Sequence, residues 1–385
     1  MGRTSMTGLI VAMLGACGGR SYDVDGSADA PGTGLAGLPP AASVDGDHFA
    51  TGDRCAACHG APGGVIVDQA GRDVSPVTVY ATSMMAWSAR DPYWLAVWSG
   101  ERADHPTATS VVDDLCTRCH APMGARELAG RGGAISLDTI VASTDAAGHL
   151  ARDGVGCTSC HQIQPTGLGE PETYDGQFVT GVDRLIYGPH AQPFPMPMMR
   201  MVNFTPTEGA HVAASELCAS CHTVVTRALD DAGQLTGPEV NEQMTYLEWR
   251  ASSYPAAGVT CQTCHAPTTD VDGDPIAARL SPMPPWLNPR APIGRHVFAG
   301  VNTYMLALLA DNQAWTGSTT TAAPLVAGID VAPARGRAAV TVASDAAAVV
   351  DGRLQATIRV TNRTGHKLPT GYPGRRMWLH LRAVD

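Results

Sequence analysis

Ten of the 11 cysteines fall into one pattern, Cys-x-x-Cys-His, which recurs five times: Cys55-Ala56-Ala57-Cys58-His59, Cys116 to His120, Cys157 to His161, Cys218 to His222 and Cys261 to His265. At this usage of Cys and His, chance yields about 0.01 such motif per chain, so five are not accidental. Zinc sites pair their Cys and His at other spacings. A disulfide framework has no reason to place a His after every second Cys. The spacing is that of c-type haem attachment. Two thiols add to the haem vinyl groups as thioethers, and the adjacent imidazole turns onto the iron as the proximal ligand. The expected cofactors are therefore five haem c groups (iron). Cys55, Cys58, Cys116, Cys119, Cys157, Cys160, Cys218, Cys221, Cys261 and Cys264 attach them, and His59, His120, His161, His222 and His265 are the proximal ligands.

Five such plates would constrain the fold more than the side chains do. Aromatic residues make up 5% of the chain, with five Phe, whereas Gly (42) and Pro (28) are abundant. Haems supply the missing apolar bulk, and short helices and loops can pack around them. The expected class is mainly α with extensive irregular loops: a multihaem cytochrome c domain at 48–322, then a small β-sandwich-like C-terminal region at 323–385. Strands are predicted there at 326–331, 338–343, 354–361 and 377–384 from alternating or β-branched residues. The last ends so near Asp385 that either the region is small and leans on the haem domain or the sequence is a fragment.

The N-terminus reads as an export signal. Arg3 precedes a short apolar core, Leu9 to Ala16, too short to span a bilayer. Leu14-Gly15-Ala16-Cys17 resembles a bacterial lipoprotein signal, so 1–16 is expected to be removed and Cys17 lipidated. Residues 17–47, rich in Gly, Ala, Asp and Pro, read as a flexible tether. The protein is expected outside the cytoplasm, lipid-anchored on the periplasmic face or at the outer membrane or cell surface. Gly18 after Cys17 favours the outer membrane by resemblance to lipoprotein sorting. A net charge of −10 without a basic run excludes nucleic acid as a partner.

The motif spacing carries an internal repeat. Successive motif His are 61, 41, 61 and 43 residues apart; Cys55 to Cys157 and Cys116 to Cys218 are both 102. Gly154-Val155-Gly156-Cys157 echoes Gly258-Val259-Thr260-Cys261. A two-haem unit of about 100 residues, present twice and followed by half a unit, would arrange the haems as a serial chain of close pairs. Helices are predicted at 79–98 and 242–254, with Trp87, Trp94, Trp98, Tyr246 and Trp249 packing on haems or in the core.

Eight His remain for the distal positions, which decide whether an iron carries electrons or does chemistry. His48 and His211 lie 11 residues before a motif His and His149 lies 12 before. With His296, which opens an apolar helical stretch, and His366, in a turn between two strands, they are the distal candidates. His105 and His190, in Pro-flanked loops, either ligate or face water; His380 alternates within a strand and reads as structural. Met196, Met198, Met199 and Met201 in a Pro-rich stretch, and Met84 and Met85 on a helix, read as filler or one sulfur ligand.

These segments resemble the bacterial multihaem cytochromes related to the tetrahaem electron carrier of ammonia oxidisers and to hydroxylamine oxidoreductase-like proteins. The resemblance is carried by SMMAWSARDP from Ser83, LCTRCHAPMG from Leu115, GVGCTSCH from Gly154 and YGPH from Tyr187. It continues in ELCASCH from Glu216, EQMTYLEWRASSY from Glu242, GVTCQTCHAP from Gly258 and TNRTGHKLPTG from Thr361. It implies a mostly helical haem domain and extracytoplasmic electron transfer between a redox-protein donor and acceptor. Two other readings stay open: an oxidoreductase acting on a small nitrogen or sulfur species at a five-coordinate haem, and a structural subunit of a larger haem conduit or filament. Against the former, there is no Cys-x-x-Cys-Lys motif, as used by the pentahaem nitrite reductases, and no Tyr can be nominated as the cross-link of hydroxylamine oxidoreductases.

Overall fold

Proline cuts this chain into short helices. Pro92, Pro122 and Pro324 each sit in the first turn of a helix, where the missing N–H costs nothing. The computed structural model describes residues 37–60, 64–230, 232–370 and 375–382. The signal segment, Cys17 and most of the tether lie outside them.

Among the described residues the helices run α1 (Asp53–His59), α2 (Pro76–Tyr80), α3 (Pro92–Asp104), α4 (Thr109–His120), α5 (Pro122–Gly130), α6 (Leu137–Val141), α7 (Ala146–Arg152) and α8 (Cys157–His161). They continue as α9 (Met196–Val202), α10 (Ser215–Ala219), α11 (Thr245–Arg250), α12 (Cys261–His265), α13 (Thr303–Asp311), α14 (Gln313–Thr316) and α15 (Ala323–Ala339). Three two-stranded sheets interrupt them: β1 (Leu185–Gly188) parallel to β2 (Thr205–Glu208), β3 (Val224–Leu229) antiparallel to β4 (Leu235–Gln243), and β5 (Val340–Val350) antiparallel to β6 (Arg353–Asn362). The fold is thus mixed, about 39% helix and 16% strand. No helix among the described residues is long and apolar enough to cross a membrane.

The helix expected at 79–98 is broken in two. Asp91 caps α3 by accepting from the Tyr93 N–H at 2.9 Å, and only a 3₁₀ turn, Met84–Trp87, lies between α2 and α3. The helix expected at 242–254 shrinks to α11, because β4 runs on to Gln243. The strand expected at 326–331 is wrong: those residues lie inside α15. Leu325, Gly328 and Ala332 recur at helical spacing and are the buried face. Leu325 packs with Trp87, Leu306 and Leu309, which stabilises the helix by about 2 kcal/mol. Gly328 permits the approach, since a Cβ there would stand 2.2 Å from the Thr82 carbonyl.

The expected β-sandwich-like region is, among the described residues, one hairpin. β5 and β6 are exposed along nearly their whole length, and 375–382 form no strand beyond a single bridge at His380, which is exposed. The chain from Leu38 is not free tether either. Leu38 is buried with Trp94 and Trp98, and its N–H donates to the Trp315 carbonyl at 2.7 Å.

Three turns share one construction. Asp68, Asp230 and Asp270 each accept from the N–H groups two and four residues on, at 2.8–3.0 Å. A glycine three residues on takes a positive φ: Gly71 (79°), Gly233 (76°) and Gly273 (93°). Asp mimics a backbone turn and Gly closes it. Arg72 joins two of them, donating to Asp68 (2.6 Å) and Asp270 (3.0 Å). Above this bridge Ile66, Val74, Ile276 and Ile293 form one apolar cluster, so the chain after the first motif meets the chain after the last.

Candidate functional site

Two cysteines at i and i+3 share one face of a helical turn, with the His one step beyond. Helices α1, α4, α8 and α12 all end on the motif His, while in the fourth motif α10 stops at Ala219 and His222 follows in a turn. The repeat is visible in how α8 and α12 begin. Gly154 and Gly258, three residues before the first Cys, both take positive φ (63° and 70°). The carbonyls of the following valines each accept from an aromatic side chain: Val155 from the Tyr80 hydroxyl, and Val259 from Trp249 Nε1 at 2.9 Å.

All ten motif cysteines are free thiols. Sulfurs of different motifs meet: Cys55 hydrogen bonds with Cys157, Cys119 with Cys221, and Cys218 with Cys261. The first two pairs are each 102 residues apart in the chain, so equivalent motifs of successive repeats are neighbours. The third pair joins consecutive motifs, so contacts across about 100 residues of chain run beside serial ones.

The motif imidazoles are held as neutral ligands would be. His120 Nδ1 lies 3.2 Å from the Ser88 carbonyl and His161 Nδ1 2.6 Å from the Tyr187 carbonyl. His59 and His265 hydrogen bond to the backbone of Leu280 and Ala299. An Nδ1–H given to a carbonyl fixes the tautomer and leaves Nε2 with its lone pair. Burial lowers the pKa of His59, His161 and His222, and takes His120 and His265 down to about 4. Trp94 lies parallel to the His120 ring at 4.7 Å.

Two motif imidazoles face a second one. His161 and His296 have ring centres 6.1 Å apart, inclined by 26°; His265 and His366 are 6.5 Å apart, inclined by 20°. Nδ1 of His296 bonds the Gly294 carbonyl at 3.0 Å and that of His366 the Lys367 carbonyl at 2.9 Å, so Nε2 is again the nitrogen left for another partner. An iron bound by two imidazole nitrogens at about 2 Å each, with each ring centre about 1 Å further, would separate the centres by about 6 Å. His296 is not in a helix as expected but in an irregular segment, tied to the fifth motif by Arg295 N–H to Pro267 O and Phe298 N–H to His265 O, both 2.9 Å. His366 lies in the loop after β6, and among the described residues the second strand expected beyond it is not formed.

The other candidates are placed differently. His48 keeps a buried Nδ1 without a partner among the described residues. His211 gives Nε2 to the Ile163 carbonyl at 2.8 Å and sets its edge on Tyr187. His149 has Nδ1 3.2 Å from the Arg152 guanidinium and bonds the Thr144 backbone. His105 is one-third exposed beside Glu101, and burial lowers the pKa of His190. Met196, Met199 and Met201 are exposed on α9, whereas Met84 packs with Trp87.

No group of three or more His, Cys, Asp or Glu is gathered as a metal site among the described residues. A porphyrin iron asks the protein only for axial ligands, and the donor set fits that demand: paired thiols, an oriented imidazole, and at two motifs a second imidazole nearby. No protein-family model, curated protein or solved structure matches this chain.

Proposed function

We propose that this chain is a pentahaem c-type cytochrome that transfers electrons outside the cytoplasm, anchored through Cys17. The single observation that carries the reading is the motif imidazole with Nδ1 tied to a carbonyl and, at His161 and His265, a second imidazole about one iron's width across. Once attached, each haem would supply a one-electron couple whose potential follows its axial ligands, hydrogen bonding and burial. The ten cysteines would hold the groups; Ser88, Leu280, Tyr187 and Ala299 would orient the motif imidazoles; His296 and His366 would supply a second imidazole to two of the groups. The sulfur contacts support a path from the first motif to the third, with the fourth as a junction to the second and fifth. Cys264 alone of the ten is exposed, which favours the fifth motif as the contact point for a redox partner.

A second reading has one observation in its favour. Among the described residues no second imidazole is ring-paired with His59, His120 or His222, so an oxidoreductase would use one of these. Both readings meet the same experiment on the full chain. The expected intact mass and pyridine haemochrome correspond to five haems, and electron paramagnetic resonance to low-spin centres indifferent to cyanide and nitrite. A chain free of haem sinks the cytochrome, and a high-spin haem that shifts with nitrite replaces the carrier with the enzyme.

A further inference from the structure

The loop that brings His366 over His265 has little core of its own, because the hairpin before it is exposed. What fixes it is α11. Glu248, with a side chain only 10% exposed, accepts from the Lys367 backbone N–H at 2.8 Å and the Thr370 hydroxyl at 3.0 Å. Thr370 also bonds Thr245 at 3.1 Å, and the Tyr254 hydroxyl bonds the Arg363 carbonyl at 2.6 Å. The Lys367 ammonium, 80% exposed and 3.9 Å from the carboxylate, adds little. The bond to the backbone N–H is charge-assisted and grips the residue next to the ligand. At the other end of α11 the Tyr246 N–H bonds the His222 carbonyl, so α11 joins the fourth motif to the fifth site.

We propose that Glu248 is a positioning residue, holding the segment 366–370 so that His366 stays opposite His265 and closes the fifth iron to outside ligands. This rests on the cytochrome reading above. Carbon monoxide binding to the reduced, haem-loaded full chain tests it, counted per protein and timed, with His366→Ala as the reference. His366→Ala adds one reactive haem to the wild-type count. Glu248→Ala speeds carbon monoxide binding at that same haem by about fivefold, while Glu248→Gln, which keeps an accepting oxygen, stays near wild type. A Glu248→Ala protein with wild-type kinetics beside a responsive His366→Ala overturns the inference and leaves the cytochrome standing. So does a His366→Ala protein with five haems and no added reactive one. A chain without haem removes both. If Glu248→Ala does not accumulate, Thr370→Val takes its place, with about a twofold acceleration expected; wild-type kinetics there overturn the inference equally.

Discussion

The third and fifth motifs begin alike and end differently. Both helices follow a left-handed glycine and a valine whose carbonyl is bonded by an aromatic side chain. Around the third motif the protein closes in: Thr158 and Ser159 are buried, and a Cβ on Gly154 would stand 2.3 Å from Ser88 Oγ. Around the fifth no residue of α12 is buried, and Gly258 faces open space. The second imidazoles differ in the same sense. His296 is held through main-chain bonds of its neighbours, which no side-chain change removes, whereas the His366 segment is held largely by side chains, Glu248, Thr245, Tyr254 and Asn362. The same motif can thus be served by a rigid site or by an adjustable one, depending on what pins the distal segment.

The largest effect expected is from replacing both cysteines of one motif. Cys157→Ser with Cys160→Ser should cost one haem by intact mass and destabilise the whole chain, whereas Cys261→Ser with Cys264→Ser should cost one haem and leave the thermal midpoint nearly in place. Equal destabilisation would break the contrast between an enclosed and an open site. Next, Gly154→Ala combines a positive φ with a clash and should lose about 3 kcal/mol, against about 1 kcal/mol for Gly258→Ala, by denaturant titration. Arg295→Ala, beside the main-chain-held His296, should leave the count of low-spin haems at the wild-type value. A new high-spin signal there would show that side chains hold this ligand too. The smallest effect belongs to a turn remote from both sites: Asp230→Ala should lose about 1 kcal/mol and change no haem spectrum.

What the sequence made legible follows from how local each signal is. The five motifs and the glycine echo at Gly154 and Gly258 rest on residues close in the chain, whereas the helix expected at His296 and the second strand expected after His366 are not found among the described residues. The helical period of Leu325, Gly328 and Ala332 was also present, but the β-branched look of Val326, Ile329 and Val331 masked it; burial against Trp87 decided the matter. The Asp-x-x-Gly turns at Asp68, Asp230 and Asp270 carried a signal in plain view, an Asx turn closed by glycine. His149 could not be read locally, because its fate depends on which atoms of Arg152 and Thr144 reach it. Nor could the meeting of motifs 102 residues apart, since spacing measures length along the chain and says nothing of how it doubles back.

That doubling back sets a timetable for assembly. Cys55 and Cys157 can touch only after more than 100 further residues have been made, and if the chain is exported as proposed, two bare thiols so close would be drawn into a cross-link. Under the proposed haem attachment, such a fold would favour a chain whose sulfurs are occupied before it closes: each motif capped while still extended, and the long-range contacts formed last, around sulfurs no longer able to react with each other.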